Sequence, residues 1–126
     1  MGDRLKGKVA IVTGAGSVIA GIGNGKATAI VFAREGARVM LVDLNLKAAE
    51  ETKAFIDKEG GTSITFRADV SKASDCQKMV DTCVQKFGRL DILHNNVGIG
   101  QWGGVIDTPE DEWDKVMAIN VKSMLL

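Results

Sequence analysis

The sequence predicts an α/β fold: a parallel sheet in the strand order 3-2-1-4, with helices packed on both faces. Three observations predict it. Short apolar runs alternate with longer amphipathic runs along the chain. Glycines close the amphipathic runs at Gly36, Gly60-Gly61 and Gly88. Each apolar run is separated from the next by a helix-length stretch, which is what parallel strands need, and such crossovers are right-handed almost without exception. The 126 residues suffice for a single domain, 1–126, and not for two.

The elements follow in order. Lys8 to Thr13 is a short apolar run that ends in glycines, as a strand buried on both sides would. A glycine-rich loop runs from Gly14 to Gly25, and Lys26 to Glu35 then has Ala, Ile, Val and Phe at helical spacing. Arg38 to Asp43 is a second buried strand. Leu46 to Lys58 is a helix with Ala49, Phe55 and Ile56 as its apolar contacts, and Ser63 to Asp69 alternates as a third strand. Ser71 or Ser74 is the cap of a third helix, whose stripe is Cys76, Met79, Val80, Cys83, Val84 and Phe87. Leu90 to His94 is the fourth strand. Thr108 suits an N-cap, Pro109 the first helical position, and Glu110, Asp111 and Glu112 the positive end of a last helix that continues to Leu126.

Composition excludes several classes of function. Sixteen Lys and Arg balance sixteen Asp and Glu. A neutral chain lacks the basic stripe that nucleic-acid binding needs, and it lacks a polybasic membrane anchor. Two cysteines make no disulfide scaffold and no zinc cluster. No apolar run reaches the roughly 18–20 residues that span a bilayer, and Met1 to Lys6 is no signal peptide. The expectation is a cytoplasmic protein without nucleic-acid, membrane or metal partners. The acidic residues Asp107 and Glu110 to Glu112 read as a helix N-terminus, the two cysteines as core, and His94 as a packed strand residue. Trp102 either lines a substrate pocket or packs on the last helix.

A strand, a glycine-rich turn and a helix N-terminus make an anion site, because main-chain N–H groups and the helix dipole favour a phosphate. Asp43, at the end of the second strand, stands where a carboxylate accepts hydrogen bonds from an adenosine ribose. A carboxylate there also repels a 2′-phosphate, so the expected cofactor is NAD and not NADP. An ordinary βα turn followed by a strand-end Asp is the bland alternative.

Thr13-Gly14, Gly23-x-Gly25, Asp43, Asp69-Val70, Asn95-Asn96-Val97-Gly98 and Asn120-Val121, in that order, resemble the N-terminal half of the short-chain dehydrogenase/reductase family. The resemblance covers the chain from about Gly7 onward and implies a Rossmann-type three-layer fold, the leading half of a doubly wound domain. It implies that Gly14, Gly23, Asn24 and Gly25 belong to the cofactor loop. Asp43 and Leu44 then hold the adenosine ribose, and Asp69 and Val70 frame the adenine. Asn96, Val97 and Gly98 line the cofactor. Asn120 is the catalytic-site helix residue whose main-chain carbonyl holds a water of the proton relay.

Two features depart from the family pattern. Eight residues, Ala15 to Ile22, separate Gly14 from Gly23 where the family has three. Gly21-Ile22-Gly23 imitates the family motif in letters, but the spacing to Lys26 and Gly36 places the motif at Gly23-Asn24-Gly25. With the longer loop, the main chain of Ser17 and Val18 is an alternative to Gly23 at the pyrophosphate. Val97 also replaces the usual Ala.

The family's acid/base set is a Tyr, a Lys four residues later and a substrate-orienting Ser. This sequence contains no tyrosine. The expectation is an NAD(H)-binding half of an enzyme that oxidises an alcohol or reduces a ketone, inert by itself, with its small-molecule substrate engaged only by a longer form. The exposed fourth strand and last helix then predict a homo-oligomer. The alternatives are a noncatalytic nucleotide-binding or self-associating half-domain, and a binder of mononucleotides or FMN. Asp43 and the paired Asn argue against the last.

Overall fold

The computed structural model describes residues 2–17, 21 and 23–126. Its elements are β1 (Val9–Thr13), α1 (Asn24–Arg34), β2 (Arg38–Asp43), α2 (Leu46–Lys58), β3 (Thr62–Arg67), α3 (Ala73–Phe87), β4 (Ile92–His94) and α4 (Glu110–Met117). A π-helical turn, Ala118–Lys122, and one last turn, α5 (Ser123–Leu125), follow. The four strands form one sheet in the order β3-β2-β1-β4, and all three pairings are parallel.

Alternation along the strands builds two cores. Val12, Val39 and Leu41 face α1 and α2, where they meet Ala29, Ile30, Ala33, Ala49 and Ile56. Val9, Ile11, Met40 and Val42 face α3, where they meet Met79 and Cys83. Because helices cover both faces, β1 and β2 are continuous apolar runs. Cys76 and Cys83 are buried, and burial pushes both thiols up from their ordinary pKa.

Several local expectations are corrected. The third strand ends at Arg67, because the Asp69 amide leaves the sheet to donate to the Asp75 carboxylate at 2.8 Å. Neither Ser71 nor Ser74 caps α3: Lys72 holds that position, and the Ser71 hydroxyl donates to Asp69 instead. β4 begins at Ile92, and Leu90 packs into the α3-side core. Thr108 does not cap α4. Its hydroxyl donates to the Gly104 carbonyl, and Pro109, with extended ψ, is the residue before the helix. Val84 and Phe55 are exposed and not core contacts; the Lys26 ammonium stands over the Phe55 ring. The last helix is broken by the π turn.

Candidate functional site

At β1 the strand order reverses: the chain passes from β1 to β2 on one side and from β3 to β4 on the other. Ligands of open parallel sheets bind at such reversals of strand order. A cavity of about 340 Å³ opens there. Gly14, Gly16, Asp43 and Leu44 form one wall, and Ala68, Asp69 and Val70 a second. Asn96, Val97, Gly98 and Ile99 form the third, with Ile119 of the π turn.

The glycine loop is seated by α2 and β2. The Ala15 amide donates to the Val42 carbonyl at 3.1 Å, and the buried Thr52 hydroxyl donates to the Ala15 carbonyl at 2.7 Å. The Gly16 amide donates to Asp43 Oδ2 at 2.9 Å. The Ala15 and Gly16 amides are therefore turned inward, away from any phosphate. Gly14 has φ +64°, the left-handed region that favours glycine. Gly25 lies in the first turn of α1, where a Cβ would sit 2.0 Å from the Gly14 carbonyl oxygen. That contact fixes how closely α1 approaches the end of β1. Ser17 bridges the loop, its hydroxyl accepting from the Gly23 amide at 3.1 Å. Of the two candidates for the pyrophosphate, Gly23 thus has its amide engaged. Val18 lies outside the described residues. α1 opens with no side-chain cap and no acidic residue in its first turn, which leaves its leading amides for an anion.

Asp43 is held from two sides, its second oxygen accepting from the Asn45 amide at 2.9 Å. Asp69 Oδ1 accepts from both the amide and the hydroxyl of Ser71. The Ser71 hydroxyl is the main reason that the Asp69 carboxyl lies below the usual carboxylate range, with Lys72 and Arg67 adding to it. Its other oxygen is 4.0 Å from the Lys72 ammonium.

Asn96 ties the third wall to the first. Its amide donates to the Thr13 hydroxyl at 3.0 Å, and its side chain donates to the Gly14 carbonyl at 3.2 Å. Thr13 in turn donates to the His94 carbonyl. The His94 ring packs edge-on against Phe32, as a strand residue would. Asn120 forms a reciprocal pair with the main chain of Ile99. It accepts from the Ile99 amide at 2.8 Å and donates to the Ile99 carbonyl at 2.9 Å. Trp102 is 93% exposed, so it does not pack on the last helix, and it is not among the residues that line this cavity.

Of the residues expected from sequence, Gly14, Asp43, Leu44, Asp69, Val70, Asn96, Val97 and Gly98 line the cavity. Ser17, Gly23, Asn24 and Gly25 shape the loop beside it, and Asn120 acts through Ile99. Gly16, Val42, Ala68, Ile99 and Ile119 also line the cavity and were missed. Only Gly16 carried a signal, as a further glycine inside the loop.

The family model described as short chain dehydrogenase matches residues 8–126. The chain belongs to the short chain dehydrogenase family. It is 42% identical to an uncharacterised oxidoreductase of Thermotoga maritima over 97% of this chain and 46% of that protein. It is 38% identical to D-threitol dehydrogenase of Mycolicibacterium smegmatis over 98% of this chain and 45% of that one. A short-chain dehydrogenase/reductase structure from Burkholderia xenovorans superposes with a TM-score of 0.95 at 38% identity, over 98% of this chain and 49% of the other. The chain therefore spans about half the length of the relatives it matches. The strand order and alternating helices are those of the family's Rossmann fold, which implies a nicotinamide dinucleotide, NAD or NADP, as cofactor.

Proposed function

We propose that this chain is the NAD(H)-binding part of a short-chain dehydrogenase/reductase that oxidises an alcohol or reduces a ketone by hydride transfer. The observation that carries the choice of NAD is the Asp43 carboxylate on the cavity wall at the end of β2. Two main-chain amides hold it in place, and it keeps lone pairs for a ribose 2′-hydroxyl while repelling a 2′-phosphate.

The residues present fit the dinucleotide. Side chains at Gly14 and Gly16 would crowd Asn96, Ala48 and Asp43, so the loop presents bare main chain to the cavity. Leu44 and Val70 supply apolar walls for an adenine, and the uncapped start of α1 suits a pyrophosphate. When bound, the nicotinamide supplies the carbon that gives or takes the hydride. Asn120 stands in the π turn, a feature frequent at functional sites, and we assign its main-chain carbonyl the relay water. Its side chain positions the 96–99 wall through Ile99.

With no tyrosine in the sequence, we expect binding without turnover from this chain alone. We also propose a cytoplasmic protein; no helix among the described residues is long and apolar enough to cross a membrane. A homo-oligomer through β4 or the last helix is supported by the exposure of Leu93, Val121, Met124 and Leu125. Calorimetric titration tests the cofactor. NAD is expected to bind more tightly than NADP, and Asp43→Ala to narrow that preference. Tighter NADP binding by the wild-type chain overturns the reading.

A further inference from the structure

The Asn45 amide holds Asp43 Oδ1, which leaves Oδ2 two possible partners. One is the Gly16 amide, at 2.9 Å. The other is Arg67, the register partner of Asp43 on β3. Parity places both side chains on the α2 face of the sheet. Leu41 packs into the α1–α2 core, and Thr65, opposite it, donates to Glu50 of α2. Asp43 and Arg67 lie two residues further along the same strands, hence on the same face. Arg67 is exposed and makes no ion pair among the described residues.

Space, and not backbone conformation, demands glycine at position 16. Its φ is outside the left-handed region. A Cβ there would lie 2.4 Å from the Ala48 Cβ, 2.8 Å from the Ala48 carbonyl carbon and 3.0 Å from Asp43 Oδ2. The first two neighbours belong to α2 and cannot swing aside. The main chain cannot easily retreat either, because Thr52 and Val42 hold Ala15 next door. A side chain at 16 would therefore lift the loop from α2 and break the Gly16–Asp43 hydrogen bond.

We infer that Gly16 determines which partner Asp43 takes, and through that choice which adenosine the site accepts. The inference rests on the NAD reading and deepens it. With Gly16 in its seat, the carboxylate stays on the cavity wall, acceptor-only and charged. Wedged away from Gly16, it turns to Arg67 across one strand spacing. The ribose then loses its acceptor, and the charge that rejects a 2′-phosphate is neutralised. Discrimination is a difference between two affinities, and this contact moves both terms in opposite directions.

The test is calorimetric titration of the 126-residue chain with 5′-AMP and with adenosine 2′,5′-bisphosphate. These probes reach only the adenosine end of the site. The wild-type chain is expected to prefer 5′-AMP. Gly16→Ala is expected to cut that preference by about tenfold, the scale of one hydrogen bond to a charged group. Arg67→Gln by itself is expected to leave the preference unchanged, because Asp43 is held elsewhere. In the Gly16→Ala background it is expected to restore discrimination. A wedge that only damaged the fold would weaken both probes together and leave their ratio alone. If Gly16→Ala fails to fold, Ala48→Val presses on the same seat from α2 with Gly16 intact, and the same loss of preference is expected. An unchanged ratio in a folded wedge variant, or an equal effect of Arg67→Gln in both backgrounds, overturns the inference. A wild-type chain that fails to prefer 5′-AMP refutes the NAD reading itself.

Discussion

The cavity lies between two parts of the molecule built on unlike terms. From β1 through α3, the wall is set by packing: every residue of β1 is buried, and so are the four central residues of β2. From β4 onward, packing contributes little. β4 has three residues, none of them buried, and α4, the π turn and α5 bury none. Beyond the three-residue pairing of β4 with β1, that second wall is fixed by a short series of hydrogen bonds, from Asn96 to Thr13 and Gly14 and from Asn120 to Ile99. A rigid nucleotide floor thus faces a wall held in place by a few polar contacts. Such a wall can be disturbed locally without unfolding the domain.

The sharpest way to break this contrast is to truncate one leucine on each side. Leu41, at 0% exposure in β2, touches the α1–α2 core. Leu93, at 44% in β4, faces solvent. Leu41→Ala is expected to cost about 2–5 kcal/mol, the range for a large buried residue that leaves a cavity. Leu93→Ala is expected to stay within about 0.5 kcal/mol, as exposed substitutions do. Urea unfolding of the two variants measures both. Equal losses would mean that β4 is packed as tightly as β2.

The second prediction concerns the polar ties. Asn120→Leu keeps much of the side-chain volume and removes both hydrogen bonds to Ile99. The expected loss is about 1–3 kcal/mol, because the Ile99 amide and carbonyl are left without partners. The loss should be local. Hydrogen exchange is expected to speed up at Ile99, while the β1 and β2 amides keep their protection. Loss of protection throughout the sheet would show that the second wall is part of the global fold.

The same contrast explains what could be read from the residues alone. Strands buried on both faces announce themselves as apolar runs, so Arg38–Asp43 has the boundaries its sequence suggests, and so does the helix Leu46–Lys58 before its closing glycines. The glycine motif was legible because α1 must start where its apolar face meets the sheet. α1 begins at Asn24, two residues before the expected Lys26, which puts Gly25 in its first turn against Gly14. The polar details were not legible, because each depends on a partner far along the chain or on a local competition. Ser71 has the chemistry of a cap, but Asp69 takes its hydroxyl. The π turn coincides with Asn120 reaching back twenty-one residues to Ile99, and no local pattern encodes that. Gly16 is one glycine among several in the loop, and only the position of Ala48 makes it different.

The smallest expected effect lies where the two parts are first joined. Asp91, just before β4, accepts from the Val9 amide at 2.9 Å and pairs with the Arg89 guanidinium. The Arg89 hydrogen bond, then the Val9 amide, holds its carboxyl below the usual carboxylate range. A carboxyl lowered in the folded state favours folding above its unfolded pKa of about 3.9, and that contribution fades as pH falls through the lower folded value. The Val9 amide should report the change directly. Its exchange protection, relative to that of Met40 in mid-sheet, is expected to fall as the pH drops below about 4. Asp91→Asn keeps an oxygen for Val9 but has no proton to take up, so the fall should be absent in that variant. Identical acid profiles for the two proteins would show that the junction is held by backbone pairing of β4 with β1 and not by the Asp91 charge.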